Sequence, residues 1–230
     1  MQTAHINGID LAFQDSGGKG PVVILSHGFL MDHTMFDAQV AALTTAQVLG
    51  MTSDQVASLS SSQVASMSTA QVAAFETEDI GAMTTAQLAA LTTTQVAALT
   101  TAQIVALGSE QAASLKSSQL AVLTTAQLSS LETEDLVALT TTQLKGFSST
   151  QIASLTTAQV ASLGTDQVAG LSTTQLVGLT TAQVVSMSND QVAAMTTAQV
   201  AALTTLQVVA METSDVASIT TSQIPALTTL

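Results

Sequence analysis

The chain has 230 residues, no Cys, Trp or Tyr, and three Lys or Arg against sixteen Asp or Glu, for a formal charge of −13. Three basic side chains cannot neutralise a phosphate backbone, so a nucleic-acid partner is excluded, and the lack of Cys removes disulfides and thiolate metal or redox sites. Only 8% of residues are charged and 47% are hydrophobic, which argues against disorder, while no run approaches the roughly 20 apolar residues of a membrane span.

In chain order, Thr3-Ala4-His5-Ile6, Asn7-Gly8 and Ile9-Asp10-Leu11-Ala12-Phe13 predict a β-hairpin around a two-residue turn. Residues 16–20 are a glycine-rich loop, and residues 21–26 (Pro-Val-Val-Ile-Leu-Ser) suit a short buried strand. That strand runs into His27-Gly28-Phe29-Leu30, and Met35-Phe36 leads into a helix from Asp37. The start has no basic region followed by an apolar one, so no signal peptide is expected.

Residues 1–43 resemble the opening of an α/β-hydrolase of the epoxide-hydrolase, haloperoxidase and esterase type. The resemblance rests on the hairpin, the strand ending in His-Gly-x, and the Met-Phe pair before the first helix. It implies that the backbone N–H of Phe29, after His27-Gly28, is an oxyanion-hole donor. A nucleophile elbow, Gly-x-Ser-x-Gly or its Asp equivalent, occurs nowhere, and no His follows His33. A triad in the order of that fold cannot be assembled, so no catalytic residue is assigned and an enzyme is not expected.

From Thr44 the sequence repeats every eight residues without insertion or deletion, giving 23 complete octads over 44–227. The consensus is Thr-Thr-Ala-Gln-Val-Ala-Ala-Leu. The second position is Ser or Thr in 22 copies, with Asn189 the exception; the fourth is Gln in 20 and Asp in three (Asp79, Asp135, Asp215). Residues 228–230 open another octad, which points to a longer parent. Residues 36–43 are themselves an octad in the same register, so the two parts meet inside a stretch that both could share.

Eight residues at 100° each would rotate an apolar stripe by 80° per octad, so one long helix fails. On a strand, the fifth and eighth positions would face opposite ways. A short helix in each octad puts both on one face. The expected fold is mainly α: a solenoid of roughly two-turn helices preceded by a small β-hairpin and strand, each helix too short to stand alone. A Thr-rich β-solenoid is the alternative.

The second position is expected to be the N-cap, because the first tolerates Gly108, Gly164, Lys116 and three Glu. Gly108 and Gly164 would then end the preceding helices in a left-handed conformation. The acids at the third and fourth positions fit the positive end of a helix dipole, and the clusters at 76–79 and 132–135 read as solvated cap residues rather than a calcium loop. Met51, Met67, Met83, Met187, Met195 and Met211 replace Leu in the core stripe. Pro225 should disrupt the last helix.

His5 and His33 have no ligand-spaced partner, so neither a metal nor a cofactor is expected. The octads are similar to those of large bacterial secreted and surface repeat proteins. That resemblance implies a non-catalytic stalk, spacer or adhesin-like array, extracellular or at the cell surface, with other proteins or other copies as partners through the solenoid. The alternatives are a hydrolase fragment for ester or epoxide hydrolysis without its nucleophile and His, and a chimeric reading frame without function.

Overall fold

The computed structural model describes residues 2–6, 9–13 and 37–229. The strands β1 (Gln2–Ile6) and β2 (Ile9–Phe13) pair antiparallel, with Ile6 opposite Ile9 and Gln2 opposite Phe13. The expected turn at 7–8, the strand at 21–26 and the loop at 27–36 lie outside the described residues.

From residue 37 the described chain forms 23 α-helices, one per octad, from α1 (Asp37–Ala41) to α23 (Thr213–Ser218). The protein is thus mainly helical and built from short repeats, and no strand occurs in this stretch. The helices are shorter than two turns: α5 (Thr69–Val72) has four residues and α16 (Thr157–Ser162) six. Two consecutive extended residues set this limit. After α16, Leu163 sits at φ −56°, ψ 139° and Gly164 at φ −68°, ψ 155°, so the chain leaves one helix and enters the next without a left-handed residue. The left-handed endings expected at Gly108 and Gly164 are therefore corrected: both are extended N-caps, Gly108 at φ −94°, ψ 165°.

The cap is also one residue earlier than expected. Thr156, at the first octad position, caps α16: its Oγ1 accepts from the Gln159 backbone N–H at 3.1 Å, and its own N–H donates to Gln159 Oε1 at 2.7 Å. Thr157 is the first helical residue. The first position tolerates variety because the glutamine half of the box survives any side chain there. Gly108 N–H donates to Gln111 Oε1 at 2.9 Å and Lys116 N–H to Gln119 Oε1 at 2.6 Å.

The described chain divides into two compact units, Met1–Ala106 and Leu107–Leu230. Within each, a helix packs on the one three octads later. In the first unit α1 packs on α4 (Ser61–Ser66), and α3 (Ser53–Ala57) on α6 (Thr77–Ala82). In the second, α10 (Ser109–Ser114) packs on α13 (Thr133–Ala138), and α13 on α16. The fifth and eighth positions fill the core between layers, as Ile80, Leu88, Val160 and Leu163 do. The six core methionines are all buried there. Cover for the fifth position comes from later octads: Val200 is fully buried, whereas Val216, with no octad three places on, is 41% exposed.

The same stacking explains the small residues. A Cβ on Gly178 would lie 2.9 Å from the Ser149 Cβ, and one on Gly170 would lie 3.1 Å from the Thr141 Cβ. Ser66 Oγ donates to the Asp37 carbonyl at 3.2 Å across an equivalent contact. The second position of one octad thus meets the seventh position three octads later, and a larger side chain at Gly170 or Gly178 would collide there. At the end, residues 224–229 form a 3-10 helix (Ile224–Thr229), in keeping with the disruption of the last α-helix expected from Pro225.

Candidate functional site

The side chains that join one layer to the next are the fourth-position glutamines. In a helix of five or six residues most backbone groups are terminal, so nearly every N–H or C=O needs a partner from outside the helical ladder. One amide can serve both ends, because its oxygen accepts and its nitrogen donates twice. Gln159 Oε1 takes the N–H of Thr156 at its own helix start, while Nε2 donates to the Leu128 and Leu131 carbonyls at 2.9 and 2.8 Å. Those carbonyls close the helix four octads earlier, α12 (Thr125–Ser130).

In the first unit, Gln87 Nε2 reaches the Val56 and Leu59 carbonyls at 2.8 and 2.7 Å, and Gln71 Nε2 reaches Val40 and Leu43 at 3.2 and 2.7 Å. In the second, Gln191 binds Val160 and Leu163 and Gln199 binds Val168 and Leu171 in the same way. The donor lies 28 residues after the last acceptor each time. A layer therefore takes about three and a half octads, between the helix contact at three and the amide contact at four. The residues 36–43 octad belongs to this arrangement, since Gln71 closes α1 as it would any other helix.

These glutamines are almost wholly buried, Gln159 at 2% and Gln199 at 1% exposed. Their role was absent from the sequence reading, which took them only as capping-box acceptors. A signal was present. A capping box accepts Glu as readily as Gln, yet none of the 23 fourth positions is Glu. A carboxylate cannot donate to a carbonyl, so an octad that closes an earlier helix in this way carries an amide.

The three Asp octads use a different contact. Asp79 accepts from the Glu76 N–H through Oδ2 at 3.1 Å and from Ser53 Oγ through Oδ1 at 3.0 Å. Asp135 accepts from Ser109 Oγ at 3.1 Å. The residue 26 places before each Asp is Ser53, Ser109 or Asn189, never the commoner Thr. The reading of these clusters as solvated needs a correction here. Glu76, Glu132 and their third-position neighbours border water, but Asp79, Asp135 and Asp215 are 2–4% exposed. They occupy the buried glutamine position.

Asp135 differs from its two counterparts. Its Oδ2 is buried with no hydrogen-bond partner within normal distance and angle, whereas Asp79 and Asp215 take the N–H of Glu76 and Glu212 through Oδ2. Burial pushes its carboxyl above the ordinary aspartate value; hydrogen bonds from Ser109 and from the Glu132 backbone oppose this, and the charges of Glu132 and Glu134 add to it.

The residues singled out in the first segment are not brought into any described site. His27, Gly28, Phe29 and His33 lie outside the described residues, and His5 is known only as part of β1. Among the described residues no group of three or more His, Asp or Glu could hold a metal ion. No described helix is long and apolar enough to cross a membrane.

The ALTTAQ repeat family model matches residues 37–69, 72–109, 128–165, 154–181, 160–197, 168–205 and 197–229, which together take in most of the chain. Among curated proteins nothing matches it.

Proposed function

The chain belongs to the ALTTAQ repeat family, and from that premise we propose that it acts without catalysis, as a structural and interaction repeat. The observation that carries this reading is the glutamine amide that closes one helix while capping another. It recurs through both units and spends the buried polar side chains on holding layers together. Repetition of this kind gives an extensible surface of neutral Thr, Ser and Ala side chains, suited to a spacer or to contact with other proteins or further copies.

We further propose display at a bacterial surface or in the medium as an adhesin-like segment, with the residues before 37 as a separate starting segment ahead of the repeats. Low charge, absence of Cys and the similarity of the octads to those of secreted repeat proteins support that placement. Two measurements on the full chain test the proposal. Incubation with a chromogenic ester and a small epoxide should give no turnover above buffer. Immunolabelling of intact producing cells should find the chain outside. Ester or epoxide turnover lost on Phe29→Pro, which removes the N–H implied as an oxyanion donor, would overturn the non-catalytic reading. Confinement to the cell interior would overturn the surface reading.

A further inference from the structure

A layer joint in this chain brings together two unlike faces. The earlier face offers fifth-position side chains and the carbonyls of the fifth and eighth positions, and the later face offers the amides that donate to them. These bonds are not covalent, so a joint needs a matching layer but not a continuous chain. One face of each kind is left open. In the first unit Gln39 is exposed and Gln47 and Gln55 are half-buried, whereas Gln63, Gln71 and Gln87 are buried. In the second unit the fifth-position Val192 and Val200 are fully buried, Val208 is half-buried, and Val216 and Ile224 are exposed. The last glutamines there, Gln207 and Gln223, reach back to the Leu179 and Met195 carbonyls; among the described residues no amide donates to the carbonyls of Leu203, Met211 and Ile219.

We propose that these two open faces bind each other between copies of this chain. Gln39, Gln47 and Gln55 of one copy donate to the Leu203, Met211 and Ile219 carbonyls of the next, and Val216 and Ile224 become covered as Val192 and Val200 are. The proposal rests on the interaction role given above and supplies its partner. Spacing singles out a second copy as the occupant. The three donors are eight residues apart, and so are the three acceptors, so all three bonds fall in register. Within the second unit Gln191, Gln199 and Gln207 meet Leu163, Leu171 and Leu179 in that same register. A partner that offered only apolar side chains would cover the valines but leave buried carbonyls without donors, which is costly.

Two properties follow from the chemistry of the faces. Because the faces differ, a bound copy keeps one of them free, so association is open-ended and does not close at a dimer. The helices that carry them hold only acids, Asp37 and Asp54 on one side and Glu212 and Asp215 on the other, and each copy has a formal charge of −13. The joint itself is amide on carbonyl and apolar on apolar. Salt screens the repulsion between copies and should strengthen binding, the reverse of a contact held by ion pairs.

The test is sedimentation of the full chain over a concentration series at low and high salt. The average mass should climb past that of a dimer without a plateau, and climb further in high salt. Two double variants then separate the faces. Gln47→Glu with Gln55→Glu removes donors from one face while keeping the oxygens that cap their own helices; Val216→Lys with Ile224→Lys charges the other face. Each variant alone should sediment as a monomer, whereas an equimolar mixture should form dimers and stop there, since only one intact joint can form. A chain monomeric at every concentration, a plateau at the dimer, or a mixture no heavier than its parts overturns the stacking. The concentration series uses the unsubstituted chain, so it decides the matter even if a variant folds poorly. A monomer that is found outside the cell and turns over no ester would overturn the stacking alone and leave the function proposed above standing.

Discussion

The octads at 156–163 and 76–83 have the same length, the same extended joints and the same buried fifth and eighth positions, but different fourth residues. Gln159 holds its own helix start with its oxygen and reaches four octads back with its nitrogen. Asp79 also holds its own helix start, but has no proton to give when ionised. It reaches three octads back instead, to a serine hydroxyl that donates to it. The difference teaches that the fourth position does two separable jobs. Capping needs only an acceptor, whereas closing another helix needs a donor, so an amide meets both and a carboxylate one.

The harshest way to break the comparison is to destroy the layer that both versions serve. Val160→Asp with Leu163→Asp places two charges in the core, each costing several kcal/mol without a partner. Local helicity should be lost around residues 152–171, visible as fast amide exchange there. Protection unchanged at Leu128 and Leu131 would show that neighbouring layers do not share their stability.

A milder change isolates the donor. Gln159→Glu keeps an acceptor for the Thr156 N–H but turns a carboxylate towards the Leu128 and Leu131 carbonyls. The expected loss is about 3 kcal/mol in chemical unfolding at neutral pH, since a buried group loses its partners and a charge is added. The introduced Glu would have a raised folded pKa, so part of the loss should return on acidification. A Glu variant as stable as the original would mean that the amide donor contributes nothing.

The comparison is sharpened in the opposite direction by Asp79→Gln. The new amide lies where other glutamines reach 28 to 31 residues back, here towards the Met51 and Val48 carbonyls. A gain of about 1 kcal/mol is expected, a typical net value for a hydrogen bond. A loss would show that Ser53 had become the more important partner.

The smallest expected effect separates the two threonines. Thr156→Ala should cost about 1 kcal/mol as the loss of an N-cap. Thr157→Ala, with its side chain at the first helical position and exposed, should fall within about 0.5 kcal/mol of zero. Melting both variants side by side decides which position caps.

Much of this architecture was legible from the octad itself. The 80° drift per repeat ruled out a continuous helix, and the three-residue spacing of Val160 and Leu163 placed them on one face, where the structure buries them. Pro225 was expected to disrupt the last helix, and no α-helix forms there. The cap was misplaced because Ser or Thr at the second position recurs more strictly than at the first. That recurrence answers to packing against Gly170 and Gly178, three octads on, not to capping. The first position varies because Gln111 and Gln119 secure the N–H of Gly108 and Lys116 whatever their side chains. The buried Asp clusters were misread because their Glu neighbours are exposed, and a local pattern does not show which carboxyl turns inward.

What the sequence determined by itself was everything that repeats within eight residues: a short helix, a polar start and a two-residue apolar face. These follow from backbone geometry and side-chain chemistry acting over one turn. What only the tertiary structure decided lies 26 to 31 residues apart. This comprises the helix contact at three octads, the amide donation at four, and the different fates of Asp79 and Asp135 despite identical tetrapeptides. Those depend on which layer settles against which, and a sequence with a perfect eight-residue period carries almost no mark to distinguish one layer from the next. Most of the low, acidic charge of the repeats has the same local origin, since their acids sit mainly in first helical turns.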